Sequence, residues 1–215
     1  MFAAKSLGWV LLGVVRLLTG AQARWWGCPP KAEQRIYFAN HQSHLDLVMI
    51  WAALPEELRS ITRPIAARDY WANTPLKRWI TTEVFNAIYV ERGGTPEPTA
   101  AGASPPDPLA PLQPLIEALK SGDSIIIFPE GTRGHTGEPQ KFKSGLFTLA
   151  QMFPDVVLVP AWIDNVQRVM PKGEIVPVPI LCSVTFGAPV YCDEGEERRA
   201  FLDRARDAVI ALRYV

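Results

Sequence analysis

The sequence predicts an α/β fold, a largely parallel or mixed sheet flanked by helices, with an N-terminal helix lying on a membrane surface. Short apolar runs rich in β-branched and aromatic residues alternate with helix-like runs from residue 35 onward. The chain of 215 residues is long enough for one sizeable domain and too short for two comfortable ones. Its beginning is apolar and then basic and aromatic, unlike the rest. The expected plan is therefore an interfacial anchoring segment over residues 1–30 and a single globular domain over residues 31–215.

The first element is the apolar run Leu7 to Val15, with Lys5 before it and Arg16 after it. A bilayer span needs about 20 apolar residues, so this run falls short. With Arg16 snorkelling, Leu17 and Leu18 extend it to about three turns in the interface. Arg24, Trp25 and Trp26 then read as a basic and aromatic anchor. Two other readings compete, a core helix and a secretory signal peptide ending near Ala21-Gln22-Ala23, although Arg16 interrupts the apolar region where a signal would continue.

Further along, Arg35–Ala39 reads as a strand and Ser43–Ala53 as a helix, with Asn40 or Ser43 as its N-cap. Thr62–Ala67 is a strand that Pro64 confines to an edge or bulge. Tyr70–Thr81 is a helix that Pro75 kinks or restarts, and Asn86–Glu91 is a strand. Residues 93–108, rich in Gly, Pro, Ala, Ser and Thr, are expected to be a flexible insertion. Then follow helix Pro111–Lys120, buried strand Ser124–Phe128, helix Ser144–Met152, strands Val156–Ile163 and Cys182–Phe186, and the closing helix Glu196–Arg213.

Composition excludes some functions. A net charge of zero argues against nucleic acid as the main partner. Cys28, Cys182 and Cys192 have no metal-ligand spacing and no even disulfide framework, which suits a reducing compartment. Six of the seven tryptophans fall in the first 80 residues, and Trp favours the lipid–water boundary.

The chemistry concentrates in two stretches. Asn40-His41-Gln42-Ser43-His44-Leu45-Asp46 joins a strand end to a first helical turn. There a carboxylate can hold one imidazole nitrogen and leave the other as a general base. Phe128-Pro129-Glu130-Gly131-Thr132-Arg133 follows a buried strand, where open α/β sheets place their ligand crevices. Lys141-Phe142-Lys143-Ser144-Gly145 opens a helix, and Tyr89-Val90-Glu91-Arg92 ends a strand. Basic residues at these ends, beside a His/Asp pair, read as an anion site next to a base.

These stretches resemble the glycerolipid acyltransferases, most closely the lysophosphatidic acid (1-acylglycerol-3-phosphate) acyltransferases. Residues 40–46 match the N-H-x-S-x-x-D block at every fixed position, and residues 128–133 match F-P-E-G-T-R. Phe142-Lys143-Ser144-Gly145 resembles the F-K-x-G that follows, and Leu158-Val159-Pro160-Ala161-Trp162-Ile163 the V-P-V block. The likeness runs from about residue 33 to 187 and makes residues 31–215 an acyltransferase domain. It implies that His41 takes a proton from a lysophospholipid hydroxyl while Asp46 orients His41. It also implies an acceptor site of Arg68, Arg92, Glu130, Gly131, Thr132, Arg133 and Lys143, with Pro160 on the acyl-donor side. Acyl-CoA or acyl carrier protein would be co-substrate, with no metal or other cofactor. Membrane lipids would be the partners, on the cytoplasmic face of the inner or plasma membrane. Main-chain N–H groups near the helix start are expected as oxyanion donors. Gly134 departs from the Ser common in relatives, and Arg68 from a Lys.

Three other readings compete. His41, His44 and Asp46 would make an incomplete metal site. A lipase-like hydrolase lacks its G-x-S-x-G elbow. A non-catalytic lipid-binding protein accounts for the anchor and the basic pocket but not for the His/Asp pair.

Overall fold

Seven strands pair into one mixed sheet in the computed structural model, which describes residues 2–20, 22–43, 45–91, 109–134, 137–166 and 181–215. They are β1 (Gln22–Trp25), β2 (Arg35–Ala39), β3 (Thr62–Ala67), β4 (Ile88–Val90), β5 (Ser124–Ile127), β6 (Val157–Asp164) and β7 (Ser183–Phe186). The order across the sheet is β1-β7-β6-β2-β5-β3-β4. Every pairing is parallel except β6 with β7. The described helices are α1 (Phe2–Thr19), α2 (Asp46–Ala53), α3 (Glu56–Ser60), α4 (Arg68–Trp71), α5 (Pro75–Trp79), α6 (Gln113–Lys120), α7 (Gly145–Met152) and α8 (Arg198–Ala211).

The two central strands β2 and β5 are buried at every position, as their unbroken apolar runs require when both faces of a sheet are covered. Alternate side chains feed two cores. Tyr37, Ala39 and Ile126 pack with Leu12 of α1 and with the fully buried α2. Ile36, Phe38, Ile125 and Ile127 pack under α6, α7 and α8. Each fully buried Ile or Phe contributes roughly 1.5–3 kcal/mol, so this double coverage fixes the central strands firmly.

Register brings the informative stretches together. Phe38 of β2 lies opposite Ile127 of β5, so residues 40–46 and 128–133 leave from the carboxyl ends of neighbouring strands. The ends of β3 and β4 follow on the same side, with Ala67 opposite Val90. Arg68 and Glu91 therefore continue that row.

Several expectations change. Residues 22–25 form a sheet strand, so the sheet reaches back past residue 30, and Trp25 stacks on Phe186 at 4.2 Å. Asn40 is no helix cap. Its side chain exchanges two hydrogen bonds with the main chain of Ile163, at 2.8 and 3.0 Å, and ties β2 to β6. Pro64 is not on an edge strand. β3 pairs with β5 through Thr62–Pro64 and with β4 through Ile65–Ala67, so Pro64 sits where the ladder changes partner. Pro75 restarts the helix, with Thr74 Oγ1 accepting the N–H of Lys77 at 3.2 Å, and Ile80–Val84 winds on as a π turn.

The N-terminal helix α1 is apolar on two sides. Leu11, Leu12 and Val15 face the core, while Trp9, Val10, Val14 and Leu17 face outward and are 59, 60, 47 and 84% exposed. Among the described residues no helix is long and apolar enough to cross a membrane. The insertion expected at 93–108 lies outside the described residues.

Candidate active site

β2 delivers His41 to the carboxyl edge of the sheet, and the first residue of α2 returns Asp46 to meet it. His41 Nδ1 lies 2.9 Å from Asp46 Oδ2. The same oxygen accepts the main-chain N–H of Gln42 at 2.6 Å and of Ser43 at 2.8 Å. Asp46 is 1% exposed and the His41 side chain 16%, so the carboxylate is sealed while the imidazole reaches the surface of a cleft. With Nδ1–H donating to Asp46, Nε2 is left as the acceptor that a general base needs. The ring also stacks on Phe128, with centroids 4.5 Å apart.

Among the described residues, four of the main-chain donors expected near the helix start for an oxyanion are already committed. Gln42 and Ser43 donate to Asp46, Leu45 donates to Ser43 Oγ at 3.2 Å, and Asp46 donates to the Ser43 carbonyl at 3.3 Å.

The cleft holds about 250 Å³. His41, Phe128, Gly131 and Lys143 form its polar mouth, and Ile65, Leu115, Ile127, Leu146 and Leu149 its apolar depth. Lys143 has no ion-pair partner among the described residues. It lies over Gly131, where a Cβ would stand 2.6 Å from Nζ, and Gly131 itself has a φ of +70°. The positive φ favours glycine there, and any side chain at this position would push the Lys143 end aside. The result is an unpaired ammonium beside an imidazole at the entrance to an apolar slot, which suits an anionic amphiphile.

The other candidate residues are dispersed. Thr132 is exposed and Arg133 half-buried on the loop after β5, outside the cleft wall. Arg68 lines an adjoining depression with Arg78, and Glu91 borders both this depression and the cleft. Arg68 Nη1 is 3.6 Å from Glu91 Oε1, and both side chains are well exposed. Pro160 is buried in β6 opposite Phe38 and is not on the cleft wall. Arg92, His44 and His135 lie outside the described residues, as does the metal pairing that would use His44.

Glu130 does not line the cleft. Its carboxylate is buried, with Oε1 accepting the N–H of His41 at 2.7 Å and Oε2 the N–H of Gln140 at 2.8 Å. Burial pushes its carboxyl pKa up, and these two N–H donors partly offset that. Gln140 and the stacking role of Phe128 had no signal in the sequence beyond their nearness to the motif.

A buried carboxylate thus holds an imidazole in a cleft that also has an apolar lining and a lysine with no ion-pair partner among the described residues. Residues 29–164 match the family model described as acyltransferase, and the chain belongs to that family. It is similar to the 1-acyl-sn-glycerol-3-phosphate acyltransferase alpha of Ovis aries, 28% identical over 85% of this chain and 59% of that protein. The human protein of the same name matches at 28% identity over 85% of this chain and 60% of its own length. A chloroplastic 1-acyl-sn-glycerol-3-phosphate acyltransferase of Arabidopsis thaliana matches at 28% over 67% of this chain and 36% of its own. The chain thus spans three-fifths or less of the length of these relatives. The crystal structure of the 1-acyl-sn-glycerophosphate acyltransferase of Thermotoga maritima shares the fold, with a TM-score of 0.65 at 22% identity over 99% of this chain and 82% of that one.

Proposed function

We propose that the chain is an O-acyltransferase that moves a fatty acyl group to the free hydroxyl of 1-acylglycerol-3-phosphate, giving phosphatidic acid. The observation that carries this reading is the His41–Asp46 pair at the polar mouth of an apolar cleft. The names of its relatives supply the substrate class.

In this reading the acceptor hydroxyl donates to His41 Nε2. As that oxygen attacks the thioester carbonyl of the donor, its proton passes to Nε2, and Asp46 stabilises the imidazolium that forms. The thiolate leaves and takes a proton, for which the imidazolium is the nearest source, so no covalent acyl-enzyme is needed. Holding hydroxyl, base and thioester together contributes much of the acceleration. Lys143 attracts the acceptor phosphate at the mouth, with Arg133, Arg92 and Arg68 as further cations and Gly131 and Thr132 lending main-chain approach. The acyl chain lies along Leu115, Leu146 and Leu149. Pro160 acts indirectly, through the β6 backbone beside Phe38.

The donor is acyl-CoA or acyl carrier protein, and no metal or further cofactor enters. The outward stripe of α1 rests in the interface of a membrane, on the cytoplasmic face where those donors occur. The test is transfer in mixed micelles from labelled acyl-CoA or acyl carrier protein to a panel of lysophosphatidic acid, other lysophospholipids and lyso-ornithine lipid. Product from lysophosphatidic acid alone supports the proposal. Product from another lysolipid alone reassigns the acceptor, and lipid binding without product from any pair favours the binding-protein reading.

A further inference from the structure

Glu130 is the one fully buried carboxylate besides Asp46 among the described residues, and no cation pairs with it there. A carboxylate placed to meet an incoming phosphate would repel it, so its burial away from the cleft calls for a different role.

We infer that Glu130 is a positioning residue for His41, bridging the main-chain N–H groups of His41 and Gln140, and not a ligand of the acceptor. This rests on the reading of His41 as the general base. The main chain of His41 is held on both its N–H and its carbonyl by one loop. Glu130 Oε1 takes the His41 N–H at 2.7 Å, and the Gly134 N–H donates to the His41 carbonyl at 2.8 Å. The same loop supplies Phe128, on which the imidazole stacks. Asp46 fixes the ring nitrogen, but it cannot by itself fix where the ring stands over the cleft; the main chain at His41 does that.

The bridge needs a carboxylate. Each oxygen accepts one main-chain N–H, at 2.7 and 2.8 Å, so two acceptors are required. Glutamine has the same shape but one acceptor, and its NH₂ would oppose one of the two N–H groups. Aspartate keeps the charge but is one methylene shorter and reaches fewer of the two donors well.

The experiment compares wild type, E130Q and E130D in steady-state transfer from acyl-CoA to lysophosphatidic acid. It also follows the imidazole ¹⁵N titration of His41, assigned with H41A. A misplacement of the base on the order of 1 Å costs about 100-fold in rate. The expected result is a fall in kcat of about 10- to 100-fold in E130Q, less in E130D, with acceptor KM within about threefold. The His41 titration midpoint should move in E130Q while the far-ultraviolet circular dichroism stays unchanged. A raised KM with unchanged kcat would return Glu130 to the acceptor site and overturn the inference, as would unchanged kinetics and titration. If E130Q does not fold, E130D carries the same comparison. If wild type transfers nothing, the proposed activity fails, while the titration still decides what Glu130 does to His41.

Discussion

Asp46 Oδ2 stands 2.9 Å from His41 Nδ1 and holds two main-chain N–H groups of the intervening loop as well. One buried oxygen therefore sets both the tautomer of the base and the shape of the turn that presents it. Asp46→Asn keeps the size but places either an amide nitrogen or a weaker acceptor against three donors. Turnover should fall by about 10²- to 10⁴-fold, with acceptor KM nearly unchanged. Loss of kcat and affinity in equal measure would make Asp46 a structural residue only.

Gly131 and Gly134 lie three residues apart and should differ in their response to alanine. At Gly131 a Cβ meets Lys143 at 2.6 Å with φ at +70°, so Gly131→Ala should cost about 1–2 kcal/mol in urea unfolding and displace the ammonium. At Gly134 the nearest atom, Glu130 Oε2, is 3.4 Å from a Cβ, which is ordinary contact. Gly134→Ala should leave stability within about 0.5 kcal/mol and activity close to wild type. Equal damage from both variants would contradict this geometry.

Both stretches of the site were readable because their chemistry is local. The buried strands β2 and β5 were also readable, since strands covered on both faces must be apolar without a break. What escaped depends on distant partners. Asn40 looks like a helix cap until Ile163, 123 residues on, claims its side chain. Glu130 looks like a ligand until His41, 89 residues earlier, claims one of its oxygens. β1 escaped for a different reason. It is four residues long, pairs on one side only, and contains Gln22 and Arg24, which face water.

The pH dependence of stability offers a test of Glu130 independent of catalysis. Its carboxyl pKa is raised above the ordinary 4.5, chiefly by burial. Between 4.5 and the raised native value, the folded chain holds a proton that the unfolded chain has lost. The stabilisation from this group is thus fully present below the unfolded value and is lost as pH rises through the native one. The melting temperature of wild type relative to E130Q should therefore climb as pH falls toward 4.5. Parallel melting curves for the two proteins at every pH would contradict the buried-carboxylate account.

The outward stripe of α1 makes the proposed membrane contact testable without touching the site. Val10→Glu and Leu17→Glu change residues that are 60 and 84% exposed, so melting should be unaffected. Each should weaken binding to vesicles of phosphatidylethanolamine and phosphatidylglycerol roughly tenfold, as expected when one large apolar contact is lost. Unchanged sedimentation with vesicles would remove α1 from the contact.

The most direct measurement is the rate of labelled phosphatidic acid formation from lysophosphatidic acid by wild type and His41→Ala in the same micelles. The account predicts robust product from wild type and a rate at least about 100-fold lower in the variant, with lysophosphatidic acid binding retained. Equal rates from the two proteins would contradict it, because the account assigns the hydroxyl proton to His41.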